Sequence, residues 1–114
     1  MKIEYIKLCG VSELEEKKGR LFKIDDENEV ALFKINGKVH AVDNICPHNH
    51  TPKIYKGIIE DDCVLCPIHF FKFNLKTGKP IEFTGGNLRI YETKIENSII
   101  FIKKPDAKTF NFDF

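Results

Sequence analysis

Two short clusters of cysteine and histidine constrain this chain more than any other feature of its sequence. The first cluster reads Cys46-Pro47-His48 and the second reads Cys66-Pro67-Ile68-His69, with residues 49–65 between them. Each cluster offers one thiolate and one imidazole, and both groups are common metal ligands in proteins. A proline after each cysteine fixes φ and stiffens the backbone there. A shared metal site would require the fold to bring these two loops together.

The rest of the sequence alternates short β-rich runs with turns. The strongest local signal is Asn36-Gly37 between Val30–Ile35 and Lys38–Asp43, because Asn-Gly supplies the positive φ values that a two-residue hairpin turn needs. Further strands are expected at residues 2–8, 20–24, 70–75, 88–95 and 98–103, with turns at 60–62, 76–78 and 96–97. Roughly eight to ten short strands are typical of an all-β sandwich or barrel.

A single helical turn is expected at residues 12–18, where Ser12 and Glu15 have the spacing of a capping box. Gly19 limits that helix to about one turn. At the C-terminal end, Phe110, Phe112 and Phe114 recur with a period of two, which predicts an edge strand or an apolar strap.

Charge and length exclude several classes of protein. Eighteen basic residues balance seventeen acidic ones, so no footprint for nucleic acid or an anionic membrane is expected. The chain has 114 residues, which indicates one domain over 1–114. Charges at Lys2, Glu4 and Lys7 interrupt any signal-peptide core. We therefore expect a soluble cytoplasmic protein whose cysteines are thiols or metal ligands.

The cysteines allow other interpretations. Cys63 and Cys66 form a C-x-x-C pair, but a thioredoxin-type dithiol belongs in a βαβ context that these strands do not offer. Structural zinc is the stronger rival, since tetrahedral Cys₂His₂ sites use the same ligand types. Zinc fingers usually group a cysteine pair and then a histidine pair, whereas each cluster here mixes the two. Cys63 and Cys9 are expected to be buried strand residues.

Taken together, the two clusters resemble those of the Rieske-type [2Fe-2S] ferredoxin family. The resemblance covers residues 2–103 and includes the downstream FKFNLKTG, which is similar to the family's aromatic strand and turn. It implies stacked antiparallel sheets with a small cluster-binding subdomain at about 44–73 and a tail at 104–114. It also implies a [2Fe-2S] cluster with Cys46 and Cys66 on one iron and His48 and His69 on the other.

The same resemblance implies electron transfer rather than catalysis. We find no catalytic constellation elsewhere in the sequence. By similarity to the ferredoxin components of ring-hydroxylating dioxygenases, the chain would carry single electrons from a reductase to a terminal oxygenase or another oxidoreductase. His48 and His69 would form the contact surface for these partners. The alternatives are a Rieske-like small subunit of a larger reductase, such as assimilatory nitrite reductase, and a zinc-stabilised binding module.

Missing residues predict a low reduction potential. High-potential members of the family carry two extra cysteines and a serine and tyrosine that donate hydrogen bonds around the cluster. The matching positions here hold Thr51 or a near neighbour, Ile68, Phe71 and Phe73. Phenylalanine donates no hydrogen bond. Fewer donors favour the oxidised form, so the ferredoxin-like, low-potential end of the family is expected.

Several loop residues depart from the family pattern or complicate it. His50 and Phe70 each stand where the family usually has glycine, and Ile54-x-x-Gly57 matches an apolar-x-x-Gly motif only with a one-residue insertion. These changes are expected to alter the shape of the loop and not the ligand set. His50 is also an alternative ligand to His48, although a solvent-facing loop residue is the simpler interpretation. His40 is expected to be a surface or half-buried histidine.

Overall fold

A computed structural model describes residues 4–47, 50–82 and 85–104. These residues form eleven strands and two 3-10 helices, and all strand pairings are antiparallel. The strands are β1 Tyr5–Gly10, β2 Arg20–Lys23, β3 Glu29–Ile35, β4 Lys38–Asp43, β5 Ile58–Glu60, β6 Cys63–Leu65, β7 Lys72–Asn74, β8 Pro80–Ile81, β9 Ile90–Tyr91, β10 Thr93–Glu96 and β11 Ile99–Lys103. The 3-10 helices are Val11–Glu13 and Ile54–Lys56. The predicted all-β fold is confirmed.

The strands form three sheets. An outer sheet has the order β1-β11-β10, a central sheet β2-β3-β4-β9, and a third sheet β5-β6-β7-β8, which we call the site sheet. Strand β3 contributes Ala31, Phe33 and Ile35 to the core shared with the site sheet. Its alternate residues Val30 and Leu32 pack in the other core, with β11. The central sheet therefore lies between the other two, and burial on both faces explains the unbroken apolar run in β3.

The hairpin predicted at Asn36-Gly37 is present. Asn36 has φ 51 and Gly37 has φ 79, and Ile35 pairs with Lys38 across the turn. Positive φ at both central residues is the hairpin geometry that matches the twist of the strands. This hairpin carries the chain along β4 toward Cys46.

Three predicted elements differ from the structure. The strand expected at 88–95 is two strands, because β9 pairs with β4 in the central sheet and β10 pairs with β11 in the outer sheet. The strand expected at 70–75 begins only at Lys72, since Phe70 has φ 59. The helical turn lies at Val11–Glu13, where the Gly10 N–H donates to Glu13 Oε2 at 2.9 Å. The short strand β8 was not predicted.

No helix in the described residues is long and apolar enough to cross a membrane. His48 and the aromatic tail at 110–114 lie outside those residues. The expectations that concern them stay predictions.

Candidate metal centre

Cys46 and Cys66 meet in the core between the central sheet and the site sheet. Cys46 lies beyond the end of β4 and Cys66 beyond the end of β6, and both side chains have no exposed surface. Both residues belong to one cluster of buried core residues, and the Cys46 thiol is close enough to raise the pKa of the Cys66 thiol. The fold thus brings together the two cysteines of separate loops, as a shared metal site requires.

The two cysteine loops share one hydrogen-bonding pattern. In the first loop, residues 46–51, the Cys46 N–H donates to the Thr51 carbonyl at 3.0 Å and the His50 N–H donates to the Cys46 carbonyl at 2.7 Å. In the second loop, residues 66–71, the Cys66 N–H donates to the Phe71 carbonyl at 2.8 Å and the Phe70 N–H to the Cys66 carbonyl at 2.7 Å. His50 and Phe70 therefore occupy equivalent positions.

The backbone conformation at these two positions explains why the family usually has glycine there. His50 has φ 58 and Phe70 has φ 59, which is the left-handed region that glycine enters without a steric penalty. Histidine is enriched among non-glycine residues in this region, whereas a bulky residue such as phenylalanine is rare there. Despite the missing glycines, both loops close with the same two backbone hydrogen bonds.

His69 lies on the exposed tip of the second loop. Its ring meets the Phe71 ring edge-on, with 6.1 Å between centroids and 67° between planes. The flanking side chains are apolar and exposed, at 44% for Ile68 and 58% for Phe70. The imidazole of His69 is therefore exposed to solvent, three residues from the buried Cys66.

The surroundings of Cys66 include some groups that raise the pKa of its thiol and others that lower it. Burial raises the pKa of the Cys66 thiol, and the adjacent Cys46 thiol raises it further, while the backbone N–H groups of Ile68 and His69 donate to its sulfur and lower the pKa. Metal binding requires the deprotonated sulfur. Backbone donors aimed at that sulfur are the arrangement a metal-bound thiolate needs, so the residues fit a sulfur-ligated metal.

The remaining cysteines and His40 behave as predicted. Cys9 is 5% exposed in the core between the central and outer sheets, and Cys63 is 8% exposed in β6. Burial raises the pKa of both thiols, which makes them poor nucleophiles. His40 is half-buried in β4.

The Ile54-x-x-Gly57 motif joins the supports of the two loops. Ile54 is fully buried in the core that holds both cysteines. A Cβ at Gly57 would lie 2.7 Å from the Leu65 carbonyl oxygen and 2.6 Å from Val64 Cγ2. The segment after the first loop therefore packs directly on the strand that leads to Cys66, and only glycine fits at the contact.

Asn44 precedes Cys46 by two residues and was not among the predicted site residues. Among the described residues it is the one polar, non-cysteine side chain that is fully buried. A polar residue at the end of a buried strand, next to a predicted ligand, was the available signal.

Three stacked antiparallel sheets with two cysteines brought together by matching loops define a small all-β metal protein. Over residues 4–103 the sequence matches the Rieske-like [2Fe-2S] domain, and the chain belongs to this family. The predicted family, its Rieske-type [2Fe-2S] cofactor and the role in electron transfer are confirmed.

Two similar proteins of known role are ferredoxin components. The chain is 34% identical over 102 residues to the 3-phenylpropionate/cinnamic acid dioxygenase ferredoxin subunit of Shigella boydii. The matched region covers 88% of this chain and 93% of the relative. The chain is 31% identical over 100 residues to the ferredoxin component of the alkene monooxygenase system of Xanthobacter autotrophicus, which covers 88% and 81%.

A solved structure shares the fold. A crystal structure described as an NADH-dependent nitrite reductase small subunit from Mycobacterium tuberculosis superposes with a TM-score of 0.85 over 94% of this chain and all of the other. The two sequences are 24% identical. This likeness establishes the architecture and carries no statement about partners.

Proposed function

We propose that this protein carries single electrons from a reductase to a terminal oxygenase or another oxidoreductase, with Cys46, His48, Cys66 and His69 holding the cluster. The observation that carries the proposal is the meeting of two buried thiols beneath an exposed histidine. A Rieske cluster accepts one electron at a potential raised by its imidazole ligands. Because its relatives are ferredoxin components, the chain would act as a component of an oxidoreductase system.

The residues around the site divide the work. Cys46 and Cys66 lie in a core that excludes water, which protects the sulfur ligands. The backbone donors of Ile68 and His69 stabilise negative charge on Cys66. The exposed imidazole of His69 offers electrons a short exit, and Ile68 and Phe70 beside it form an apolar rim for a partner. The ferredoxin roles of the relatives support a reductase and an oxygenase as those partners.

Alanine variants of the four proposed ligands test the site. Cys46→Ala and Cys66→Ala are expected to lose iron and labile sulfide, because no buried sulfur replaces the thiolate. His48→Ala and His69→Ala are expected to lose the Rieske EPR spectrum. His50→Ala is the matched control and should keep both the cluster and its g values.

Two results would overturn this assignment. Loss of the spectrum in His50→Ala together with its retention in His48→Ala would transfer the ligand role to His50. Colourless wild-type protein with one zinc and no sulfide would replace the cluster by a structural zinc site.

A small subunit of a larger reductase is the second candidate predicted from the sequence, and the shared fold is compatible with it without favouring it. Size-exclusion chromatography of native lysate separates the two: a free carrier elutes alone, and a fixed subunit co-elutes with a larger chain.

We also propose that residues 1–114 form one domain with a cluster-binding subdomain at about 44–73. The core shared by the central sheet and the site sheet supports this organisation. The cytoplasmic location and the absence of nucleic-acid or membrane partners stay predictions from the sequence.

A further inference from the structure

We propose that Asn44 is a positioning residue for the cluster: its side-chain amide clamps the first loop and thereby sets the place of Cys46. This inference rests on the proposed ligand set. Asn44 itself contacts no reacting atom, and it acts through the backbone that carries Cys46.

The amide of Asn44 uses both kinds of hydrogen-bonding group. Its Nδ2 donates to Glu29 Oε1 and to the Pro52 carbonyl, both at 3.0 Å. Its Oδ1 accepts from the Tyr55 N–H at 2.8 Å. The side chain has no exposed surface, so these protein partners replace water for both donors and the acceptor. One residue thus contacts the start of β3 and the segment that follows the first loop.

The backbone of Asn44 reinforces the same clamp. Its N–H donates to the Glu29 carbonyl at 3.0 Å, and its carbonyl accepts from the Ile54 N–H at 3.1 Å. The segment that leaves the central sheet at Asn44 therefore folds back, so that residues 54 and 55 bond to Asn44 itself. Cys46 lies at the beginning of this closed segment.

The two loops differ in how their bases are held, and this difference gives Asn44 its task. The second loop is the tip of a hairpin, because Leu65 pairs with Lys72 on either side of it. The first loop runs from β4 to the 3-10 helix Ile54–Lys56, and in the described ranges no strand pair spans its base. The Asn44 amide takes the place of that missing ladder.

Only an asparagine satisfies this position. Aspartate keeps the shape but loses both donors, and it would set its carboxylate against that of Glu29. Leucine has a similar volume and makes none of the three bonds. Glutamine adds a methylene at a fully buried position, and an extra methylene in a packed core is destabilising. The carboxamide is needed for its two donors and one acceptor together.

Asn44→Asp and Asn44→Leu in the cluster-loaded protein test the proposal. We expect cluster release to a chelator to accelerate roughly 10- to 100-fold, the effect typical of removing a partner that orients a ligand. We also expect altered EPR g values and a shifted midpoint potential, which a purely structural residue would leave unchanged.

Asn28→Asp is the matched control. The Asn28 amide also bonds near the end of the central sheet, donating to Asp25 at 3.0 Å, but it has no bond to the first loop among the described residues. This variant brings two carboxylates together and destabilises the protein, yet it should keep the wild-type g values and potential. Glu29→Ala removes one partner of the Asn44 amide, so we expect a cluster-release rate between those of the wild type and the Asn44 variants. This variant keeps the proposal testable if the Asn44 variants fail to fold.

Each outcome decides one claim. Wild-type release rate, g values and potential in the Asn44 variants would overturn the positioning role while leaving the electron carrier intact. The same holds if Glu29→Ala releases its cluster at the wild-type rate. A wild-type protein without a Rieske spectrum would instead overturn the proposed function.

Discussion

Phe70 adopts a backbone conformation that favours glycine, and its side chain gains little from the fold. Its φ is 59, and a left-handed conformation costs a non-glycine residue roughly 1–2 kcal/mol. The residue is 58% exposed, so burial offsets only part of this cost. Strained residues cluster at functional sites, and Phe70 directly follows the proposed ligand His69.

Phe70→Gly is therefore expected to stabilise the protein. Relief of the backbone strain exceeds the entropy that glycine adds to the unfolded chain, so the free energy of unfolding should rise by about 0.5–1 kcal/mol. Chemical denaturation followed by circular dichroism measures the change. Phe70→Ala is the control, because it removes the ring and keeps the strain. Equal stability of the glycine and alanine variants would contradict strain at this position.

At the scale of the element, the 3-10 helix Ile54–Lys56 joins the two loops. Asn44 ties this helix to the central sheet, and Gly57 at its end touches the Leu65 carbonyl of β6. Leu65 immediately precedes Cys66. The relative placement of the two cysteines therefore depends on this short helix as well as on the sheets.

Gly57→Ala is expected to separate these supports. A Cβ there meets backbone oxygens of Leu65 at 2.7 Å and Ile54 at 3.0 Å, neither of which can rotate away, so we expect a loss of about 1–3 kcal/mol of stability. Cluster release should also accelerate. Gly10→Ala is the control, since its nearest neighbour is the flexible Glu13 carboxylate at 3.3 Å. A Gly57→Ala protein with unchanged stability would show that the helix yields freely.

At the scale of the whole molecule, the surroundings of the cluster determine the reduction potential. Phe73 is fully buried in the core with Cys46 and Cys66, and Phe71 is partly buried against it. In the high-potential members these positions carry a tyrosine and a serine. Because apolar packing supplies no such donors, we expect it to favour the oxidised form.

We expect a midpoint potential below zero, in the lower part of the family range of about −150 to +300 mV. A redox titration followed by EPR or visible absorbance measures it. Phe71→Ser restores a hydroxyl and should raise the potential relative to Phe71→Ala, which lacks one. A wild-type value well above zero would contradict the prediction.

The sequence by itself determined the features that depend on local chemistry. The Asn36-Gly37 hairpin and the strand at Val30–Ile35 follow from residues that are neighbours in the chain. The cysteine and histidine clusters indicated the family, since the pairing of ligand types within each loop is rarely produced by anything else. His50 and Phe70 were marked as departures, although their left-handed φ was not predicted.

Only the tertiary structure decided what depends on contacts between distant segments. The expected strand at 88–95 divides because its first half pairs with β4 in the central sheet and its second half pairs with β11 in the outer sheet. Asn44 looks like an ordinary turn residue until Glu29, Pro52 and Tyr55 surround it. Sequence periodicity reports which side chains are buried, but the partners that satisfy a buried polar group come from elsewhere in the chain, and the fold alone supplies them.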